Sequence, residues 1–195
     1  MATTAAPMVA ILAGGESRRM GRDKGRIVVD GEPLIERTLR LVRSVGCEAM
    51  VIGRTKPTDW TGGATRFVID RQPGLGPLGG LVTALDEVSQ QGGDATILLP
   101  CDLPKLTAAL LRHLVEHLPG ASARNGTALF HDNRIEPLAS LYRTTILDDN
   151  PDLVAKENRS LRHLIEQGDF GRLDLLGAHV DALHNANRPE DLADR

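Results

Sequence analysis

The sequence predicts an α/β domain of three layers, in which helices cover both faces of a mostly parallel central sheet. Short apolar runs and amphipathic helical patterns alternate along residues 8–120, as they do where helices connect parallel strands. The run 94–102 (DATILLPCD) contains a continuous apolar stretch, which is typical of a strand that is covered on both faces. With 195 residues, of which 41% are hydrophobic, the chain is long enough to form one domain with a full core.

Each predicted element of this first part has its own sequence pattern. Strands are expected at 8–15 (MVAILAGG), 48–53 (EAMVIG), 65–70 (TRFVID) and 94–102. Helices are expected at 32–46, 76–93 and 106–118, because apolar residues recur there at helical spacing. Pro33 suits a first helical turn, Thr107 is a candidate N-cap, and Gly92 and Gly93 end the second helix.

The pattern changes after residue 120. The stretch 127–143 (TALFHDNRIEPLASLYR) predicts two extended segments around a turn at Asp132 and Asn133. Short helices are expected at 160–168, with Ser160 as N-cap, and at 188–195, where Pro189 would begin the helix.

Composition excludes several classes of protein. A net charge of −3 argues against nucleic-acid binding by bulk charge, and an aromatic content of 3% argues against base-stacking surfaces. No run is long enough to span a membrane, and the leader MATTAAPM does not resemble a signal peptide. The two cysteines lack metal-site spacing, and we expect a reduced, cytoplasmic protein. From the charge, the aromatic content and the short apolar runs, we expect it to bind neither nucleic acid nor membrane.

The stretch 11–25 (ILAGGESRRMGRDKG) predicts an anion site. Its glycines allow backbone N–H groups to approach phosphate oxygens, and Arg18, Arg19 and Lys24 supply positive charge. The spacing matches neither a P-loop nor the dinucleotide fingerprint G-x-G-x-x-G. The alternative is a surface turn with solvated charges.

Three predicted strands end in residues that suit one site. The first ends at the glycine loop, the third at Asp70 before a second glycine-rich loop, and the fourth at Asp102. Parallel sheets bind ligands at the carboxyl ends of their strands, so these residues are expected at one edge. Asp102 could hold Mg²⁺ together with substrate phosphates, or it could simply form a turn.

Four motifs resemble the molybdenum cofactor guanylyltransferase family of nucleotidyltransferases. They are LAGGESRRMGRDK (12–24), GPLGGL (76–81), LPCDLP (99–104) and NANRPEDL (185–192). The chain departs from the family's usual pattern at Arg188, at Gly53-Arg54 and at Glu136, where relatives often carry threonine, asparagine and glutamine.

The resemblance implies a Rossmann-like nucleotidyltransferase fold in a single domain, 1–195. Its nucleotide-binding part would cover about 8–120 and its acceptor side about 121–195. The implied reaction is Mg²⁺-dependent transfer of GMP from GTP to the terminal phosphate of molybdopterin, which releases pyrophosphate. Transient contact with proteins that deliver molybdopterin or mature molybdoenzymes is also expected.

The resemblance also implies roles for individual residues. Lys24, Arg19 and Asp102 would be catalytic, with Asp102 as the metal ligand. Asn185 and Asn187 would lie on the acceptor side. The residues that would bind GTP are Leu12, Ala13, Gly14, Gly15, Lys24, Asp70, Gly76, Gly80 and Asp102.

Alternative functions remain open from the sequence. Ala13-Gly14-Gly15 and Asp23-Lys24 favour guanine, but a related enzyme could use CTP or a sugar-phosphate acceptor. A nucleotide-binding module without turnover is a further alternative. The pattern HLVEH, His113 to His117, is also found in zinc proteases, but these histidines are expected on the solvated face of their helix.

Overall fold

Seven strands form one central sheet in the computed structural model, which describes residues 7–14, 24–149, 160–175 and 177–183. One strand, β8 (Arg134–Arg143), runs antiparallel to both of its neighbours, and the other six strands run in one direction. The predicted mostly parallel sheet is therefore confirmed. In spatial order the strands are β5 (Arg66–Val68), β4 (Ala49–Ile52), β1 (Met8–Leu12), β6 (Ala95–Pro100), β8 (Arg134–Arg143), β7 (Gly126–His131) and β9 (Phe170–Asp174).

Helices cover both faces of this sheet and bury two separate core clusters. Helices α1 (Leu34–Ser44) and α3 (Ala108–His117) pack on one face, and α2 (Pro77–Gln90) and α5 (Leu161–Gln167) pack on the other. Successive strand residues point to opposite faces, so Ile11 joins the cluster under α1 and α3 while Ala10 joins the cluster under α2. The three-layer prediction is confirmed.

The predicted helix caps are formed by side chains. The Thr107 hydroxyl accepts a hydrogen bond from the backbone N–H of Leu110 at 3.2 Å, and the Ser160 hydroxyl accepts one from His163 at 3.1 Å. Each bond satisfies a backbone donor that the first helical turn leaves without a partner.

The start of α1 differs from the prediction. Glu32–Pro33 forms a short strand β3, which pairs with β2 (Val28–Val29), and Pro33 becomes the residue before the helix. Asp30 and Gly31 turn the chain with φ of 53° and 81°, so an Asp-Gly hairpin precedes the helix.

The β7–β8 hairpin contains the predicted turn and an unpredicted bulge. Asp132 and Asn133 turn the chain with φ of 46° and 58°. Further along, the pairing moves from Thr127–Leu141 to Leu129–Glu136, so residues 137–140 form a bulge on β8.

The sequence did not predict several other elements that the structure describes. Helix α4 (Thr145–Asp149) and strand β9 follow β8, and short 3-10 helices cover Lys24–Arg26, Gly177–His179 and Asp181–Leu183. The helix predicted at 188–195 lies outside the described residues. Within the described ranges, no helix has the length and apolar character needed to cross a membrane.

Three histidines stack on the outer side of α3. The ring centroids of His113 and His117 are 4.3 Å apart, and those of His113 and His179 are 5.3 Å apart. His117 is exposed as predicted, but His113 is partly buried between the other two rings. The described residues contain no group of three or more His, Cys, Asp or Glu side chains placed to hold a metal ion.

The histidine stack makes the stability of the fold depend on pH. Burial lowers the pKa of His113, and the imidazoles of His117 and His179 lower it further, against a smaller opposing effect of Glu116. The unfolded chain therefore takes up this proton more readily than the folded chain. The contribution of neutral His113 to the free energy of unfolding is complete above the pKa of the unfolded chain, about 6.5, and is lost as the pH falls below it.

We expect His113→Gln to flatten the pH dependence of the free energy of unfolding between about pH 7.5 and 5, a window set by the unfolded pKa. Urea unfolding at several pH values measures this change. His163→Gln is the matched control, because His163 lies outside the stack. An equal slope in the wild type and in His113→Gln would contradict the expectation.

Candidate active site

Backbone hydrogen bonds join the carboxyl ends of four parallel strands into one edge. Ala13 N–H donates to Ile52 at 2.9 Å, Gly53 N–H donates to Val68 at 2.8 Å, and Cys101 N–H donates to Leu12 at 3.2 Å. The chain proceeds from β1 to β4 and β5 on one side and returns to β6 on the other. The crevice between β1 and β6 is thus the topological switch point at which such sheets bind ligands.

Two glycines meet at this edge in a close backbone contact. A Cβ atom on Gly14 would lie 2.8 Å from the Cα of Gly53, and one on Gly53 would lie 2.7 Å from the Cα of Gly14. Gly53 also has a φ of +94°. The start of the basic glycine loop is therefore fixed against the end of β4 at a distance that only glycines permit.

Glycines of the second loop allow α2 to approach the same edge. Gly76 precedes the helix with a φ of +58°, a conformation that side chains rarely adopt. A Cβ on Gly80 would lie 2.7 Å from Leu12 Cδ2, and one on Gly79 would lie 2.5 Å from the carbonyl oxygen of Gln72. The first turn of α2 thus packs directly on the end of β1 and on the loop that precedes α2.

Asp70 is held in place by its own loop and by α2. Its Oδ1 accepts hydrogen bonds from Gln72 N–H at 2.8 Å and from the Thr83 hydroxyl at 3.1 Å. Arg71 N–H donates to the same hydroxyl at 3.1 Å. The buried Glu87 also forms an ion pair with Arg71, so two side chains of α2 fix this loop.

Asp102 lies immediately beyond β6, beside the end of β1. Its side chain is buried, with 7% of the residue exposed, and the Cys101–Leu12 hydrogen bond fixes the adjoining backbone. A rigid carboxylate at a switch point suits Mg²⁺, which is commonly held by one or two carboxylates and by substrate phosphates. The chemistry of this donor therefore fits the expected cation.

Several predicted site residues fall where little or nothing is described. Gly15, Arg19, Asn185 and Asn187 lie outside the described residues, and only the backbone of Lys24 is described, in the 3-10 helix that follows the basic loop. The structure brings the other predicted residues to the carboxyl edge: Leu12, Ala13, Gly14, Asp70, Gly76, Gly80 and Asp102.

The helix that begins at Lys24 is tied to the segment after β4. The Arg26 guanidinium forms an ion pair with Asp59 and donates a hydrogen bond to it. This hydrogen bond lowers the pKa of the Asp59 carboxyl. The basic loop is therefore anchored at both ends, by Gly53 before it and by Asp59 after it.

A cleft opens at the carboxyl end of β6, between this strand and β8, and we call it the β6–β8 cleft. Strand β6 pairs with β8 only over Ala95–Ile97, although it extends to Pro100. The two strands separate beyond that point because residues 137–140 bulge. The cleft is lined by Pro100, Leu103, Glu136, Pro137, Leu138 and Leu183.

Sequence reasoning missed two residues that shape the edge and named a third, Gly53, only as a departure from the family pattern. Gly79 could have been noticed as a glycine at the start of a predicted helix. Thr83 gave no such indication, because a threonine within an amphipathic helix is common and its bond to Asp70 depends on the tertiary fold.

Comparison with known proteins gives matches over most of the chain. Residues 9–173 match the family model of the MobA-like NTP transferase domain. A probable molybdenum cofactor guanylyltransferase of Methanothermobacter thermautotrophicus is 34% identical, over 94% of this chain and 96% of that protein. A protein of the same description from Opitutus terrae is 33% identical, over 93% of this chain and 91% of its own length.

A solved structure has the same fold. Molybdopterin-guanine dinucleotide biosynthesis protein A from Archaeoglobus fulgidus superposes with a TM-score of 0.75 at 21% identity, covering 95% of this chain and 94% of that one. The predicted Rossmann-like nucleotidyltransferase fold is confirmed. Fold and family match together define a nucleotidyltransferase. The chain belongs to the MobA-like NTP transferase family.

We expect Gly53→Ala to weaken binding of a fluorescent GTP analogue by at least about tenfold, because its Cβ would displace the start of the basic loop. A fluorescence titration measures the affinity. Gly46→Ala is the matched control, since Gly46 has a φ of +79° but no atom within 4 Å of an added Cβ.

Both variants should lose about 1 kcal/mol or more of stability from the strained φ. Only Gly53→Ala should lose affinity for the nucleotide. Equal affinities of the two variants would show that the Gly14–Gly53 contact does not shape the binding loop.

Proposed function

We propose that the protein transfers GMP from GTP to the terminal phosphate of molybdopterin, giving molybdopterin guanine dinucleotide and pyrophosphate. The observation that carries this proposal is the placement of Gly14 and Asp102 on either side of the β1–β6 switch point. A glycine backbone that a nucleotide can approach closely therefore lies beside a buried carboxylate. The curated relatives are named for a guanylyltransferase, and the family match covers most of the chain.

In this proposal the basic loop binds the triphosphate. Leu12, Ala13 and Gly14 follow the nucleoside with their backbone, and Gly15 and Arg19 contact the phosphates. Lys24 neutralises the α-phosphate as negative charge builds on it. Nucleotidyl transfer depends mainly on alignment and on stabilising the charge of the nonbridging oxygens, which is what these groups supply.

Asp102 is the residue proposed to hold Mg²⁺. The bound cation would neutralise charge on the phosphate oxygens of the substrate. Asp70, another described aspartate of this edge, accepts hydrogen bonds from Gln72 and Thr83.

The attacking group needs no strong general base. The terminal phosphate of molybdopterin is already an anion, so the protein has only to position it against the α-phosphorus. Asn185 and Asn187 are proposed to line this acceptor side, together with the described residues after β6 and in β8.

The same proposal places the protein in the cytoplasm, where GTP is made and used. The two cysteines, Cys47 and Cys101, are both buried and form no disulfide, which is compatible with a reducing compartment. Contact with proteins that supply molybdopterin or accept the product belongs to this proposal and is supported only by the nature of the product.

Pyrophosphate release tests the proposed reaction. The protein is incubated with Mg²⁺, each nucleoside triphosphate in turn, and either molybdopterin or a panel of sugar phosphates. We expect release only with GTP and molybdopterin. Release with CTP in place of GTP, or with a sugar phosphate alone, would instead support the alternative substrates.

Two aspartates at opposite ends of β6 provide the matched variants for this assay. Asp102→Asn should reduce the rate by at least about a hundredfold, because the cation loses its carboxylate ligand. Asp94→Asn, at the amino end of the strand, should keep the wild-type rate. Near-native turnover by a folded Asp102→Asn protein would refute the assigned role.

A further inference from the structure

The β6–β8 cleft has the composition of a small-molecule site. Five of its lining residues are apolar, namely Pro100, Leu103, Pro137, Leu138 and Leu183, and Glu136 contributes the one carboxylate among them. Ligand pockets commonly combine apolar walls with a few polar groups that fix the orientation of the ligand. Apolar walls suit a flat heterocycle, and a carboxylate selects one that presents N–H donors.

The segment that carries Glu136 is held rigidly. The Ser140 hydroxyl donates to the Glu136 carbonyl at 2.7 Å, and the Tyr142 hydroxyl donates to the Pro137 carbonyl at 2.7 Å. Tyr142 is fully buried, and burial raises the pKa of its phenol, so this donor stays protonated at physiological pH. Within this bulge Ala139 has a φ of 90°, a strained conformation for a residue other than glycine.

The Glu136 carboxylate is available to a ligand. Within the described part of the chain, no side chain donates a hydrogen bond to it or forms an ion pair with it. Two carboxylate oxygens can accept two parallel hydrogen bonds, as they do from arginine. A 2-amino-4-oxopyrimidine ring offers a similar pair of donors, its 2-amino group and its N3–H.

Both guanine and a pterin carry this ring edge, but the position of the cleft separates them. The glycine contacts at Gly14 and Gly80 lie at the end of β1, whereas the cleft lies between the carboxyl end of β6 and the first half of β8. A nucleotide on the β1 side and an acceptor on the β8 side would face each other across Asp102.

We propose that the β6–β8 cleft binds the pterin ring of the acceptor, with the Glu136 carboxylate accepting hydrogen bonds from the 2-amino group and N3–H. This assignment rests on the proposed function for the identity of the acceptor. In this proposal the apolar residues of the cleft contact the faces of the ring, and the hydrogen-bonded bulge fixes the backbone that carries the carboxylate.

A matched pair of ligands tests the contact directly. Pterin carries the 2-amino group, and lumazine replaces it with a carbonyl oxygen that repels a carboxylate. Fluorescence titration of the wild-type protein should give affinity for pterin at least about tenfold above that for lumazine, a ratio equivalent to about 1.4 kcal/mol. Equal affinities, or no binding of pterin, would overturn the proposal.

Variants assign this preference to one side chain. Glu136→Gln should lose most of the preference for pterin, and Glu48→Gln, which changes an exposed carboxylate before β4, should keep it. Both should bind a fluorescent GTP analogue as the wild type does, which shows that they are folded. An unchanged preference in Glu136→Gln would overturn the proposal.

Competition separates the two possible sources of the ring. Saturating GTP should leave pterin binding in place, because the nucleotide occupies the β1 side. Displacement of pterin by GTP, with a Glu136-dependent affinity for guanosine, would assign the cleft to guanine and overturn the proposal. The binding result does not depend on turnover, so loss of GMP transfer alone would count against the proposed function and not against this contact.

Discussion

The hydrogen bonding of β1 on both of its edges is the constraint on which the site depends. Strand β1 pairs in parallel with β4 on one side and with β6 on the other, so its carboxyl end lies beside both of theirs. Ala13 continues the bonding to Ile52 after the strand ends, and Leu12 accepts from Cys101. Gly14 and Asp102, which are distant in sequence, lie close together because one follows β1 and the other follows β6, its hydrogen-bonded neighbour.

The antiparallel strand β8 gives the second half of the edge a different character. Parallel pairing continues to the carboxyl ends of β1 and β4, but β6 and β8 separate after Ile97. The bulge that separates them is maintained by hydroxyl groups of Ser140 and Tyr142. A tight backbone contact between Gly14 and Gly53 and an open, largely apolar cleft thus arise at the same edge of one sheet.

The sequence was sufficient to predict the elements with clear periodicity and the edge at which they end. Gly14, Asp70 and Asp102 could be placed together because each follows a strand of a parallel sheet. The β2–β3 hairpin was missed because two-residue strands show no periodicity, and β9 because only Phe170 and Leu173 in it are apolar. The strain at Ala139 and the Gly14–Gly53 contact depend on tertiary neighbours, which local sequence does not encode.

The central claim is that the crevice between β1 and β6 holds the nucleotide. A crystal structure with Mg²⁺ and a nonhydrolysable GTP analogue tests it most directly. The account predicts the nucleoside along the backbone of Leu12, Ala13 and Gly14 and the cation on the Asp102 carboxylate. A nucleotide bound instead in the cavity between Arg26 and Trp60, or a cation held away from Asp102, would contradict it.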